Sequence, residues 1–161
     1  MGLIIGQKLR QMFKGYPTVS DKYNVQGGIL GEGEIVYGDF LTNGSATGYY
    51  KKAVASDKIL GIALAQNVKV PHVYPAGPNY EVTTVAGETV NLLVRGFVAV
   101  EAGTLTNVKE GDPVYLAAKS ETDTTVVVTN VAGNNALENS YFTGIVETVN
   151  GVTLAEISYR M

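Results

Sequence analysis

From residue 25 onward the chain alternates apolar and polar positions with a period of two. In "TVNLLVRGFVAVEAG" (89–103), Val90, Leu92 and Val94 share one face while Asn91, Leu93 and Arg95 share the other. In "GVTLAEISYR" (151–160), Thr153, Ala155, Ile157 and Tyr159 oppose Leu154, Glu156 and Ser158. "TTVVVTNV" (124–131) is β-branched at almost every position, which suits a pleated sheet and strains a helix. Turn residues recur at short intervals: Gly27-Gly28, Asn43-Gly44, Ala86-Gly87-Glu88, Glu110-Gly111-Asp112, Gly133-Asn134-Asn135 and Asn150-Gly151. No stretch of this region keeps helical periodicity. The pattern predicts an all-β body, a compact, jelly-roll-like barrel or sandwich of many short strands.

Residues 1–24 read differently. "LIIGQKLRQMF" (3–13) places Ile5, Leu9, Met12 and Phe13 at helix-compatible spacing, Gly6 weakens that helix, and "KGYPTVSD" (14–21) breaks it. We expect an N-terminal arm, extended or partly helical, over 1–24 and a single β domain over 25–161. Such an arm orders on a partner or packs on its own domain. The charge supports the division. Residues 1–20 carry Lys8, Arg10 and Lys14 and no acid, whereas 21–161 hold 9 basic and 15 acidic residues, so +3 and −6 sum to the net −3. A chain of that balance is no polycation, and binding of nucleic acid by the whole domain is not expected.

The β domain echoes itself. "GEGEIVYG" (31–38) and "KEGDPVYL" (109–116) both read as a Gly-acid turn followed by a strand at Val-Tyr, and each is followed by a return strand with Gly-Ile, at Gly61-Ile62 and Gly144-Ile145. We expect a degenerate internal repeat over about 31–67 and 109–150. Glycine supplies the permissive backbone of the turn and the acid caps it.

Equipment for catalysis is scarce. Zero cysteines exclude disulfides, thiolate metal sites and a cysteine nucleophile. The one histidine, His72, stands in a proline-rich stretch, "VPHVYPAGPNYE" (70–81), without a triad pattern or partner ligands, so we expect no metal and no catalytic role for it. That stretch reads as a loop, and its Tyr74 and Tyr80 either contact a neighbouring subunit or fold over their own barrel. The carboxylates are scattered, and pairs such as Glu32/Glu34 and Glu110/Asp112 are accounted for by their glycine turns. "GYYKKAVASDK" (48–58) sets Tyr49 and Tyr50 beside Lys51 and Lys52. These form either a strand whose lysines guard a sheet edge or a contact surface for a partner. No apolar run approaches the roughly 18 residues of a membrane helix, and "MGLIIGQKLRQMF" is a poor export signal because its charges follow its apolar core. We expect a chain made and kept without passing a membrane.

The segment 86–161 resembles the small capsid cement, or decoration, proteins of tailed bacteriophages, in "AGETVNLLVRGFVAVEAG", "VKEGDPVYLAAKSETD", "YFTGIVETV" and "GVTLAEISYRM"; residues 25–67 fit the same scheme more loosely. The resemblance implies a virion structural protein that is not an enzyme and uses no cofactor. Such a protein is made in the host cytoplasm, binds the outside of the assembled capsid and clamps neighbouring subunits of the major capsid protein. Neither nucleic acid nor membrane is expected as a partner, and self-association to a dimer or trimer is. On this reading Leu3, Ile4, Ile5, Leu9, Met12 and Phe13 of the arm bury against the shell, while Lys8, Arg10 and Lys14 meet acidic patches there. Tyr49, Tyr50, Lys51, Lys52, Tyr74 and Tyr80 are further candidate contacts. Two other classes suit the same composition: a tail or baseplate module, and a carbohydrate-binding β-sandwich using Tyr49, Tyr50, Tyr74 and Tyr80.

Overall fold

A computed structural model describes residues 12–18, 23–64, 83–133, 135–149 and 151–161. Among those residues the regular structure is entirely β. The strands are β1 (Asn24–Leu30), β2 (Glu34–Val36), β3 (Phe40–Asn43), β4 (Tyr49–Lys52), β5 (Gly61–Leu64) and β6 (Thr83–Val85). They continue with β7 (Thr89–Glu101), β8 (Pro113–Ala118), β9 (Val126–Thr129), β10 (Ala136–Val149) and β11 (Val152–Arg160). The alternation predicted β7 and β11 well, and the β-branched run predicted β9.

Strand order shows how the body closes. β2 and β6 pair separately, and the other nine form one sheet in the order β1-β4-β3-β5-β7-β11-β10-β8-β9. β1 returns to pair with β7, so β1-β4-β3-β5-β7 is a closed ring. The 13-residue β7 serves two masters: Thr89–Arg95 pair with β1, and Arg95–Glu101 pair with β11. A second ring, β7-β11-β10-β8-β9, is closed where Ala102 bridges Val128 in parallel and the Gly103 N–H donates to the Val128 carbonyl at 2.9 Å. Closure removes the exposed edges that a flat sheet would present.

Several backbone hydrogen bonds of the two rings are equivalent. Gly38 N–H donates to the Ala63 carbonyl (2.7 Å) and Ala63 N–H to that of Asp39 (2.8 Å). In the second ring Gly111 N–H donates to Phe142 (2.8 Å) and Phe142 N–H to Asp112 (2.9 Å). Leu30 N–H bonds Glu88 as Ala102 N–H bonds Thr153, and Gly31 N–H bonds Tyr50 as Gly103 N–H bonds Val128. This registration differs from the one the sequence echo suggests. Asp39, not Glu34, is the counterpart of Asp112, and Gly61 falls opposite Ser140 rather than Gly144. "GEGEIVYG" runs into β2 of the small sheet, whereas "KEGDPVYL" runs into β8 of the large one.

The true recurring unit is a turn. In Val36–Asp39, Val85–Glu88 and Lys109–Asp112 the acid's N–H bonds back to the first carbonyl at 3.1–3.2 Å. Its carboxylate in turn accepts the first residue's N–H at 2.9–3.0 Å. The glycine at the third position has φ of +85°, +89° and +90°, as a type II turn requires. Each turn opens a strand: β3, β7 and β8.

The six residues Leu30, Leu41, Tyr50, Ala63, Val90 and Leu92 form an apolar cluster in the first ring. Their counterparts Ala102, Val114, Val128, Phe142, Ala155 and Ile157 are all buried in the largest cluster. Bulk has changed places: large Tyr50 accompanies small Ala63, and small Val128 accompanies large Phe142. Interiors are close-packed, so the exchange conserves the fill. Phe40, Ile62, Leu64 and Leu93 of the first ring join the second ring's cluster. Leu93 is therefore buried on the face opposite Leu92, because this stretch of β7 is covered on both sides.

One expectation is corrected. Gly27-Gly28 is not a turn but lies inside β1. A Cβ on Gly28 would stand 2.2 Å from the Tyr50 ring, so the glycine makes room for that side chain. Residues 12–18 take the second of the two courses expected of the arm and pack on the body without forming a helix. Gly15 and Thr18 donate to the carbonyls of Ala99 (2.9 Å) and Phe97 (3.1 Å), and Pro17 bridges Val98. Met12, 7% exposed, packs with Ala99 and Leu154 and covers the outer face of β7 and β11. That cover buries Leu154, which strand alternation alone would leave outside. Of the helix-compatible stretch 3–13, residues 3–11 lie outside the described residues.

Candidate partner-binding surface

Most acids of the described residues have structural tasks. Asp39 (1% exposed) accepts the Val36 N–H and pairs with Lys14 and Lys52, each at 3.2 Å. Lys14 also reaches Glu101 at 3.5 Å, and Glu101 holds Lys119 at 2.6 Å. The chain Lys52–Asp39–Lys14–Glu101–Lys119 thus ties residues 12–18 to both rings. Three cations on two shielded carboxylates compensate their burial. Asp112, the counterpart of Asp39, has a neutral partner at the matching place: Asn130 Nδ2 donates to it at 3.3 Å. Glu147 accepts the Met12 N–H at 2.9 Å. Asp57 accepts that of Val54 at 3.0 Å. Hydrogen bonds from Thr125 hold the exposed Asp123 carboxyl below its usual range. Among the described residues no three His, Cys, Asp or Glu side chains gather to hold a metal ion. His72 lies outside them.

β4 is split between inside and outside. Tyr50 is buried in the first ring and its hydroxyl accepts from Gln26 Nε2 at 2.9 Å. Tyr49 points out, 40% exposed, beside Lys51, whose Nζ sits 3.5 Å from Glu32. Lys52 is committed to Asp39. Of the arm residues, Met12 and Lys14 are engaged within the chain. Phe13 is half-buried, its ring tilted against Tyr16 with centroids 5.7 Å apart. Leu3, Ile4, Ile5, Lys8, Leu9, Arg10, Tyr74 and Tyr80 lie outside the described residues.

A second exposed area lies at the seam between the rings. In register across three strands run Asn24 of β1, Arg95 of β7 and Arg160 of β11, all exposed. Beside them stand Tyr23 and Met161, 40% and 58% exposed. Arg160 and Met161 also border a cleft of about 500 Å³ lined further by Asp57, Lys58, Glu138 and Tyr159. The Tyr159 hydroxyl is buried without a hydrogen-bond partner, and burial pushes its pKa well above the ordinary phenol range. Nothing in the local sequence marks Arg95 and Arg160 as neighbours, since they are far apart in the chain and only the β7–β11 register joins them.

The model of one protein family, "Structural cement protein (E217 gp24/Pam3 gp6)", matches residues 5–160. The chain belongs to the phage structural cement protein family. The match spans both rings and includes residues 12–18, which agrees with a segment built into the body. Members of this family are non-enzymatic components of the virion, which makes this chain a structural protein associated with capsid subunits. The fold is also that of a chain in a solved structure, "The capsid of Myoviridae Phage XM1". The likeness covers 99% of this chain and 97% of that one with a TM-score of 0.63 at 17% identity. No curated protein matches the sequence. For a cement protein the site is a surface rather than a pocket. The residues that matter are those a closed, chemically quiet body leaves outside.

Proposed function

We propose that this chain is a capsid cement that binds the outer surface of the assembled shell and holds neighbouring major capsid subunits together, without catalytic activity. The family match over residues 5–160 carries the reading. The geometry supports it: two closed rings share one strand, and most acids of known position are spent on turns and internal ion pairs rather than converging on a ligand. Contact with several subunits multiplies attachment without high affinity at any one. Tyr49, Lys51 and Phe13 are the contacts proposed among the described residues, with Leu3, Ile4, Ile5, Lys8, Leu9 and Arg10 supplying an adhesive segment ahead of Met12. The burial of Tyr50 and the bond from Gln26 to its hydroxyl leave no stacking pair with Tyr49 for a sugar.

The test is to mix the purified chain with undecorated capsids and image the particles. Ordered density repeated over the outside of the head, with a higher rupture temperature, is the expected result. Density confined to the tail, or no attachment, rejects the reading.

A further inference from the structure

We infer that the seam between the rings, where Arg95 and Arg160 stand side by side, is the docking point for a carboxylate-bearing surface of the capsid shell. The inference rests on the cement reading and adds to it the place and the partner's chemistry. Arg95 and Arg160 are direct register partners on antiparallel strands, so their side chains leave the same face of the sheet. Like charges so placed repel, and no acid lies within ion-pair distance of either among the described residues. Asp57 and Glu138 border the neighbouring cleft with Arg160 but do not pair with it. Two of the chain's three arginines (the third is Arg10) are thus held together on a body of charge −6. This arrangement costs the isolated fold stability, and an anion from outside relieves it.

The surroundings are those of an interface. Tyr, Met and Arg are the residues enriched where proteins meet, and Tyr23 and Met161 flank the arginines. The backbone builds the patch. Gly96, at φ +148°, leaves the space that Tyr23 occupies: a Cβ there would lie 2.6 Å from Tyr23 Cβ. Met161 N–H is fixed to the Val94 carbonyl at 2.9 Å. Guanidinium forks match carboxylates bidentately, which lysines do not. A protein carboxylate fits better than a nucleic-acid backbone, because two cations on an acidic body do not neutralise a run of phosphates.

The full-length Arg95→Gln/Arg160→Gln variant and the wild type are compared for co-sedimentation with undecorated capsids over a range of NaCl concentrations. We expect the variant to bind at least about tenfold more weakly, with a flatter salt response. Its melting temperature should be unchanged or higher, which separates lost contact from lost folding. Lys109→Gln, an exposed charge in the turn before β8, should bind as wild type, and Arg95→Lys/Arg160→Lys should fall between. A double-glutamine variant that binds like wild type overturns the inference while leaving the cement reading intact. A wild type that ignores capsids removes both, and one that binds double-stranded DNA through these arginines more tightly than capsids overturns the choice of partner.

Discussion

The first ring and the second share a backbone plan down to individual hydrogen bonds, yet they differ in what fills and what decorates them. Asp39 and Asp112 cap equivalent turns. Lys52 reaches the first and Asn130, at the matching position after β4's counterpart β9, reaches the second. One ring uses a buried ion pair where its twin uses a neutral amide. The reason lies with residues 12–18. Lys14 enters beside Asp39 and makes a charged network worthwhile there, while among the described residues no such segment reaches Asp112. A turn and a strand order are therefore tolerant of different side chains, and the local surroundings decide which chemistry a repeated position carries.

The comparison is open to attack in order of effect. Phe142 fills the second ring at the place where the first has Ala63, so Phe142→Ala leaves a cavity that nothing nearby closes. It should cost about 3–5 kcal/mol in a denaturant titration. Had Val128 and its neighbours room to collapse, the loss would be far smaller. Next come the paired aspartates. Asp39→Ala leaves Lys14 and Lys52 facing a buried gap and should cost about 3 kcal/mol, against about 1 kcal/mol for Asp112→Ala, which loses only a turn cap and an amide contact. Equal losses would show that the ion network adds nothing. The finest test transplants the packing of one ring into the other. Ala63→Phe alone overfills the first ring by about 1–3 kcal/mol. Combined with Tyr50→Val it should cost less than the sum of the single changes, because bulk is then moved as it is in the second ring. Simple additivity would refute the idea of exchanged volume.

Much of this fold was legible beforehand. β7 and β11 were written as alternation because each has a clearly buried face, and β9 as a β-branched run buried along its whole length. Two of the three Gly-acid turns, at Gly87-Glu88 and Gly111-Asp112, were legible too, since glycine takes positive φ cheaply and a carboxylate reaches back to the first N–H, whereas the turn at Gly38-Asp39 was misplaced at 31–34. β1 was not, because Gly27-Gly28 has the composition of a turn and its real cause, the Tyr50 ring, is remote in sequence. The second-face burial of Leu93 and Leu154 was hidden for the same reason. Of the residues proposed from local sequence, Tyr49 and Lys51 lie at the surface, whereas Tyr50, equally conspicuous there, turns inward to Gln26 and the Lys52 ammonium is held by Asp39. The arginine pair could not be found from either of its strands alone.

The amino-acid order by itself determined that this would be a β protein, where several of its turns fall, and that it has few groups suited to catalysis, because these follow from side-chain period, backbone freedom and residue type within a few positions. Tertiary structure alone decided that the strands close into two matching rings, which faces are covered twice, and which charges become neighbours. Those outcomes depend on strand register, which joins residues dozens of positions apart and leaves no local mark on either.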